Sequence, residues 1–175
     1  MDDRVLDWIR SHHFGKYRGT VVDHDKDRGR IKVSCPAVLG KVELWALPCV
    51  PYAGDKVGLF TRPPKGAAIW VEFEGGKANC PIWAGCFWGT GQLPKEAKNA
   101  DVKVLKTKNA IVSIDDKANK ILLQVTGGAE ITVEKGQWTG KKGVAKVTTS
   151  TKGVKIEGSS KTLVDVQAAQ IVIAQ

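Results

Sequence analysis

AIVSIDDKANKILLQVTGGAEITVE, residues 110–134, decides how the second half of this chain folds. Apolar side chains recur there with the two-residue period of a strand that covers one face, over 110–114, 121–125 and 131–134. Between the strands stand Asp115-Asp116 with Asn119, and then Gly127-Gly128, residue types that tolerate the backbone angles of tight reversals. Working outward, the same grammar predicts strands at 102–105, 144–148, 154–157, 163–166 and 171–173, with starts about eight to ten residues apart. A short strand and a turn, repeated, make a regular β architecture.

Such a tail is not expected to stand alone. Each strand carries two or three large apolar side chains, worth about 1.5–3 kcal/mol apiece when buried. Ordering the backbone costs about 1–2 kcal/mol per residue, so an isolated sheet keeps little net stability and leaves open edges. Winding three copies around one axis answers both problems, with Val and Ile rows inside and Lys and Thr outside. The predicted interior positions are Val112, Ile114, Ile121, Leu123, Ile131 and Val133. If the three chains alternate layer by layer, the tail forms a rod about 45 Å long.

Composition changes at about residue 95. All 7 Pro, all 4 Cys, all 6 Arg and 5 of the 6 Trp precede it. Residues 2–14 set Val5, Leu6, Trp8 and Ile9 on one helical face, with Asp2 and Asp3 at the positive end of the dipole and Gly15 as the C-terminal stop. That apolar stripe folds back on its own domain or docks on a partner. Five strands then follow at 17–22, 30–35, 42–47, 69–74 and 82–88, with a long Pro- and Gly-punctuated connection over 48–66. This spacing suits a small Greek-key barrel of the OB type. The expected fold is all-β: a helical segment 1–16, a five-stranded barrel 17–90, a linker 91–100 and an intertwined trimeric β-helix 101–175.

The motifs exclude more than they include. The net charge of +9 is spread over both parts, which fits solubilising charge better than a focused nucleic-acid arm. Asp23-x-Asp25-x-Asp27-x-Gly29 fails as a calcium loop, because the glycine falls one place late and Ser34 stands where the loop needs Glu; it reads as a solvated hairpin turn. His12, His13 and His24 have no nucleophile motif beside them, so no catalytic residue, metal site or cofactor is expected. Cys35, Cys49, Cys80 and Cys86 lack a C-x-x-C pair and read as reduced, mostly buried thiols. The acidic opening is unlike a signal peptide, and no apolar run would span a bilayer as a helix, so synthesis in a bacterial cytoplasm is expected.

Several separated blocks carry a family resemblance. They are Tyr17-Arg18-Gly19-x-Val21, Gly29-Arg30-Ile31-Lys32-Val33-x-x-Pro36, Ala46-Leu47-Pro48 with Pro51, Gly54 and Gly58, and Gly66-x-x-Ile69-Trp70-Val71-Glu72-Phe73-Glu74-Gly75. Pro81-Ile82-Trp83-x-Gly85 and Trp88 complete the set. In order, over 17–88, they resemble the OB domain of contractile-phage baseplate spikes (baseplate assembly protein V) and of the VgrG spikes of type VI secretion. The resemblance implies a non-enzymatic homotrimeric spike in a virion tail baseplate or an extracellular contractile particle. It also implies a separate hub protein, for which Val5, Leu6, Trp8 and Ile9 are the candidate contacts, and transient contact with the target-cell envelope. No His follows His24, so a tip ion site is not implied; a separate PAAR-type tip protein would sit near Ile171, Val172 and Ile173. The competing reading is a single-strand nucleic-acid-binding OB protein with a basic tail, in which Trp45, Trp70, Trp83 and Trp88 with Phe73 and Phe87 form a stacking platform. Parity argues against it, and no nucleic acid is expected: Trp70 and Phe73 face opposite ways, as do Phe87 and Trp88.

Overall fold

The computed structural model describes residues 2–158 and the backbone of 162–167. The chain divides into two compact units, residues 1–92 and a second beginning at Leu93.

The first unit opens with helix α1 (Asp3–Ser11), whose N-cap Asp2 accepts the Arg4 N–H at 3.1 Å. The helix stops at Ser11, short of the expected stop at Gly15. His12 is extended, and its Nδ1 lies 2.7 Å from the Trp8 carbonyl, which also accepts from Ser11 Oγ at 3.0 Å. These side chains occupy a carbonyl that the next helical turn would have used.

The barrel strands are β1 (Tyr17–His24), β2 (Ile31–Ser34) and, after the single-turn helix α2 (Pro36–Leu39), β3 (Glu43–Pro48). The connection that follows holds a small hairpin, β4 (Tyr52–Gly54) and β5 (Val57–Leu59), before β6 (Ala68–Phe73) and β7 (Pro81–Cys86). The sheet closes in the order β1-β2-β3-β7-β6, antiparallel throughout except that β3 and β7 run parallel at Leu47↔Ile82 and Pro48↔Trp83. A parallel closing pair needs a long crossover, which the proline-rich connection and β6 provide. The result is the expected five-stranded OB-like barrel.

Its core is Val21, Ile31, Val33, Cys35, Ala46, Ile69, Val71, Phe73 and Trp83, supplied by alternate positions of β2 and β6 and by single residues of β1, β3 and β7. Of the cysteines only Cys35 is buried, and burial pushes its thiol pKa up; Cys49 and Cys86 are exposed and Cys80 is half-buried, so the expectation of mostly buried thiols is corrected. Cys49 follows the end of β3 and Cys86 ends β7, where the barrel wall gives way to loop.

The second unit is an antiparallel meander of β8 (Val102–Lys106), β9 (Ala110–Asp115), β10 (Lys120–Val125), β11 (Ala129–Glu134), β12 (Gln137–Lys142), β13 (Ala145–Ser150), β14 (Gly153–Glu157) and β15 (Thr162–Gln167). From β11 to β14 the strands begin at 129, 137, 145 and 153, an eight-residue period of strand plus two-residue turn. Two corrections follow. No strand is expected over 137–142, where Gly136 and Gly140 interrupt the apolar pattern, yet β12 pairs along its whole length with both neighbours. The interchain alternation expected of the tail is also not what these strands do: from β9 to β14 both neighbours of each strand belong to the same chain. Short loops dictate this: two residues from β11 to β14, three between β10 and β11 and four between β9 and β10, lengths that join adjacent antiparallel strands. Eight such strands span about 34 Å at a spacing of about 4.8 Å. The strand expected at 171–173 lies outside the described residues.

Candidate functional site

The register of the meander sorts its side chains onto two faces. Leu123 lies between Val112 and Ile131, and Ile121 between Ile114 and Val133. Hence the six expected interior residues share one face. Leu105, Val125, Trp138, Val147, Val154 and Ile156 join them by the same pairings. The other face carries Glu130, Thr132, Thr139, Lys141, Lys146, Thr148 and Lys155 from β11 onward. On the first strands of that face Val104, Ile111 and Leu122 are half-buried, and strand β8 lies near the short helical turn over Lys95–Lys98.

Solvent exposure of the two faces is the reverse of what a lone folded sheet would show. Ile114, Ile121, Leu123, Ile131 and Val133 are 43–47% exposed, whereas Thr132 on the polar face is 7% exposed. Val112 is half-buried. Six residues at about 3.3 Å by the seven strands β8–β14 at about 4.8 Å give this face roughly 650 Å², with Lys103, Gly140, Lys142 and Thr149 among its positions. Its apolar part is of the size of the largest apolar patch on a typical monomer, about 300–600 Å², which marks interaction sites.

The polar face is internally matched. Opposed across strands are Glu130 and Lys141 at 3.1 Å, Lys120 and Glu134 at 3.9 Å, and Lys146 and Glu157 at 3.9 Å. The Lys141 ammonium holds the Glu130 carboxyl below the usual range, and Lys155 does the same for Glu157. Exposed pairs of this kind add little stability. They do set register, because a one-residue slip would turn these charges onto the apolar face.

In the first unit, Val5, Trp8 and Ile9 of α1 are 46%, 52% and 51% exposed and Leu6 is half-buried; no residue of the helix is buried. The segment after the helix anchors it: the His13 N–H donates to the Gly76 carbonyl at 2.8 Å, and the His13 ring lies 5.9 Å from Phe73. Trp8, stacked on His12 at 4.4 Å, and the 57%-exposed Phe14, 5.7 Å from Trp8, extend the apolar strip. Phe14 was not among the expected contacts; its place beyond the helix end hid it from a helical periodicity. Ile171, Val172 and Ile173 lie outside the described residues.

The aromatics do not assemble into a stacking platform. Phe73 and Trp83 are in the core. Trp70 and Phe87 pack on each other at 4.7 Å with the Arg18 guanidinium 5.8 and 5.3 Å from their centroids, and Trp45 lies 5.8 Å from the Arg30 guanidinium. Trp88 is 63% exposed at the end of the domain. The acidic hairpin turn is closed by its own side chains: Asp25 accepts from the Asp27 and Arg28 backbone N–H groups and from Arg30 Nε and Nη2 at 2.9 and 2.8 Å. Arg30 is the main reason its carboxyl sits below the usual range. Among the described residues no group of three or more His, Cys, Asp or Glu side chains is placed to hold a metal ion.

No curated protein matches the chain. A family model does, over residues 17–88, described as the type VI secretion system/phage-baseplate injector OB domain. The match begins with the first barrel strand and ends two residues past the last, so the barrel as a whole is similar to the type VI secretion system/phage-baseplate injector OB domain.

Proposed function

We propose that the chain is the non-enzymatic central spike of a contractile injection machine, a homotrimer in which the barrel joins the baseplate hub and the tail forms a needle. The observation that carries this reading is the exposed aliphatic face of the meander. A surface that is long, periodic and uncharged over β9, β10 and β11 needs a partner of equal length and the same chemistry, and further copies of this chain supply one. The number three comes from the injector spikes that the barrel resembles. Each copy contributes one sheet, with Val112, Ile114, Ile121, Leu123, Ile131 and Val133 turned inward. Force from sheath contraction then travels along a shaft whose backbone hydrogen bonds yield only in concert. A PAAR-type tip protein caps the needle near 171–173, and the target envelope is met only during puncture.

Light scattering on the purified full chain tests this directly. The expected mass is three times the 18.9 kDa of one chain, and a stable single chain would overturn the reading.

The hub contact is assigned to the exposed face of α1. Trp8→Ala with Ile9→Ala is expected to lower the melting temperature by no more than a few degrees, because neither side chain is buried and Trp8 loses only its surface stacking on His12, while reducing co-purification with the particle's hub protein at least tenfold. Undiminished co-purification would remove α1 from that contact.

An apolar-out, polar-in meander also resembles the strand pattern of a membrane barrel. Strands of five or six residues fall short of the roughly 9–11 that cross a bilayer, and the sheet order has β8 and β15 as its ends without pairing them to each other.

A further inference from the structure

Strand β12 breaks the monotony of the apolar face. Where β9, β10, β11 and β14 each present two or three aliphatic side chains, β12 presents Trp138 and Gly140, followed by Lys142 at its end. Trp138 lies in register between Val133 and Thr149, and Gly140 between Ile131 and Val147. A Cβ built on Gly140 would come within 3.3 Å of Trp138 Cζ3. The indole therefore lies along its own strand, over the space that the glycine leaves, and it is still 42% exposed.

We propose that Trp138 and Gly140 form a register key between copies of this chain, an inference that rests on the self-assembly proposed above. The eight-residue repeat makes neighbouring layers nearly interchangeable. Two copies displaced by one hairpin, about 9.6 Å along the stack, would still set most aliphatic side chains against aliphatic ones, since β9, β10, β11 and β14 carry two or three each and β13 adds Val147 beside Ala145 and Thr149. An aliphatic repeat by itself specifies contact without specifying alignment. One layer of different shape removes that degeneracy, because a displaced indole meets branched side chains where the aligned one meets the matching layer of its partners. A single odd residue plays the same part in coiled coils that must choose one register.

The test uses the full chain with Cys49, Cys80 and Cys86 replaced by Ser and a spin label on Thr148→Cys, which lies on the polar face. Electron–electron distance measurements on this parent are expected to give a trimer with one narrow interchain distance. Trp138→Val with Gly140→Val rebuilds β12 as an ordinary aliphatic layer; it is expected to remain trimeric while the distribution splits or broadens by about one hairpin spacing. Trp138→Leu, which keeps the glycine, is expected to behave in the same way. A trimer with the parent's single distance in either variant would overturn the key and leave the spike reading standing. Loss of assembly in both variants while the parent assembles would overturn it too, by making the pair a source of binding energy and not of alignment. A parent that is a single chain would remove the underlying reading itself.

Discussion

Leu123→Asp is expected to convert the assembled protein to single chains at neutral pH. Leu123 sits at the middle of β10 on the apolar face, flanked in register by Val112 and Ile131. In a threefold assembly, one substitution places three carboxylates in one layer, each paying a desolvation penalty of several kcal/mol and each repelled by the other two. Loss of three buried leucines, about 1.5–3 kcal/mol apiece, adds to this. Light scattering should report the mass of one chain, and the barrel's tryptophan emission should stay that of a folded domain. The pH dependence carries a sign. Burial and like charge raise the carboxyl pKa in the assembled state above its value in the free chain, so assembly is favoured at low pH and lost as pH rises through that raised value. Partial reassembly on acidification is expected. Thr148→Asp, on the other face and opposite Lys155, is the control and should remain trimeric. A Leu123→Asp protein that keeps its full mass at neutral pH would show that this face is not the interface.

Residues 17–88 are legible in the sequence because the barrel obeys local rules. Ile31, Val33 and Cys35 alternate inward on one strand and its continuation, Ile69, Val71 and Phe73 on another, and the turns between strands are marked by residues that favour reversals. Elements with weak local signals were missed. Helix α2 is a single turn begun by Pro36, too short for any periodicity, and hairpin β4–β5 is exposed on both faces, so no alternation marks it. β12 was lost because its apolar-face positions are one indole and one glycine. The eight-residue spacing of Ala129, Ala145 and Gly153 was the signal that would have recovered it. The pairing partner of each tail strand is hidden from the apolar pattern for another reason. Alternation looks the same whether the neighbouring strand belongs to the same chain or to another, and only loop length separates the cases. Lys135-Gly136 and Gly143-Val144 are two-residue connections, and they hold adjacent strands together within one chain. The shared face of Val112, Ile114, Ile121, Leu123, Ile131 and Val133 was legible because strand parity survives either pairing.

Gly19→Val is expected to unfold the barrel while leaving the tail's own transition in place. Gly19 lies on β1 opposite Ile69, beside the β2 pairing of Thr20 with Ser34, where the closing sheet brings three strands together. A Cβ at this position would come within 2.7 Å of Val71 Cγ2 and 2.9 Å of the Ser34 carbonyl oxygen. The first neighbour is a fully buried core side chain. The second is backbone, and it cannot retreat without loosening the β1–β2 ladder. Alanine alone should cost about 1–3 kcal/mol as overpacking, which lowers the melting temperature by roughly 5–20 °C in a domain of this size. Valine adds two methyl groups to the same clash and should exceed that range, a large share of the roughly 5–13 kcal/mol that a domain of about 90 residues holds in total. The six tryptophans make the outcome readable, since only Trp138 lies in the tail. A red-shifted emission at room temperature, with a separate high-temperature calorimetric transition retained, is the expected signature. Thr20→Val, one residue on and exposed, should melt within a few degrees of wild type. A Gly19→Val protein that melts with wild type would mean that β1 does not approach β2 and β6 as closely as this geometry requires.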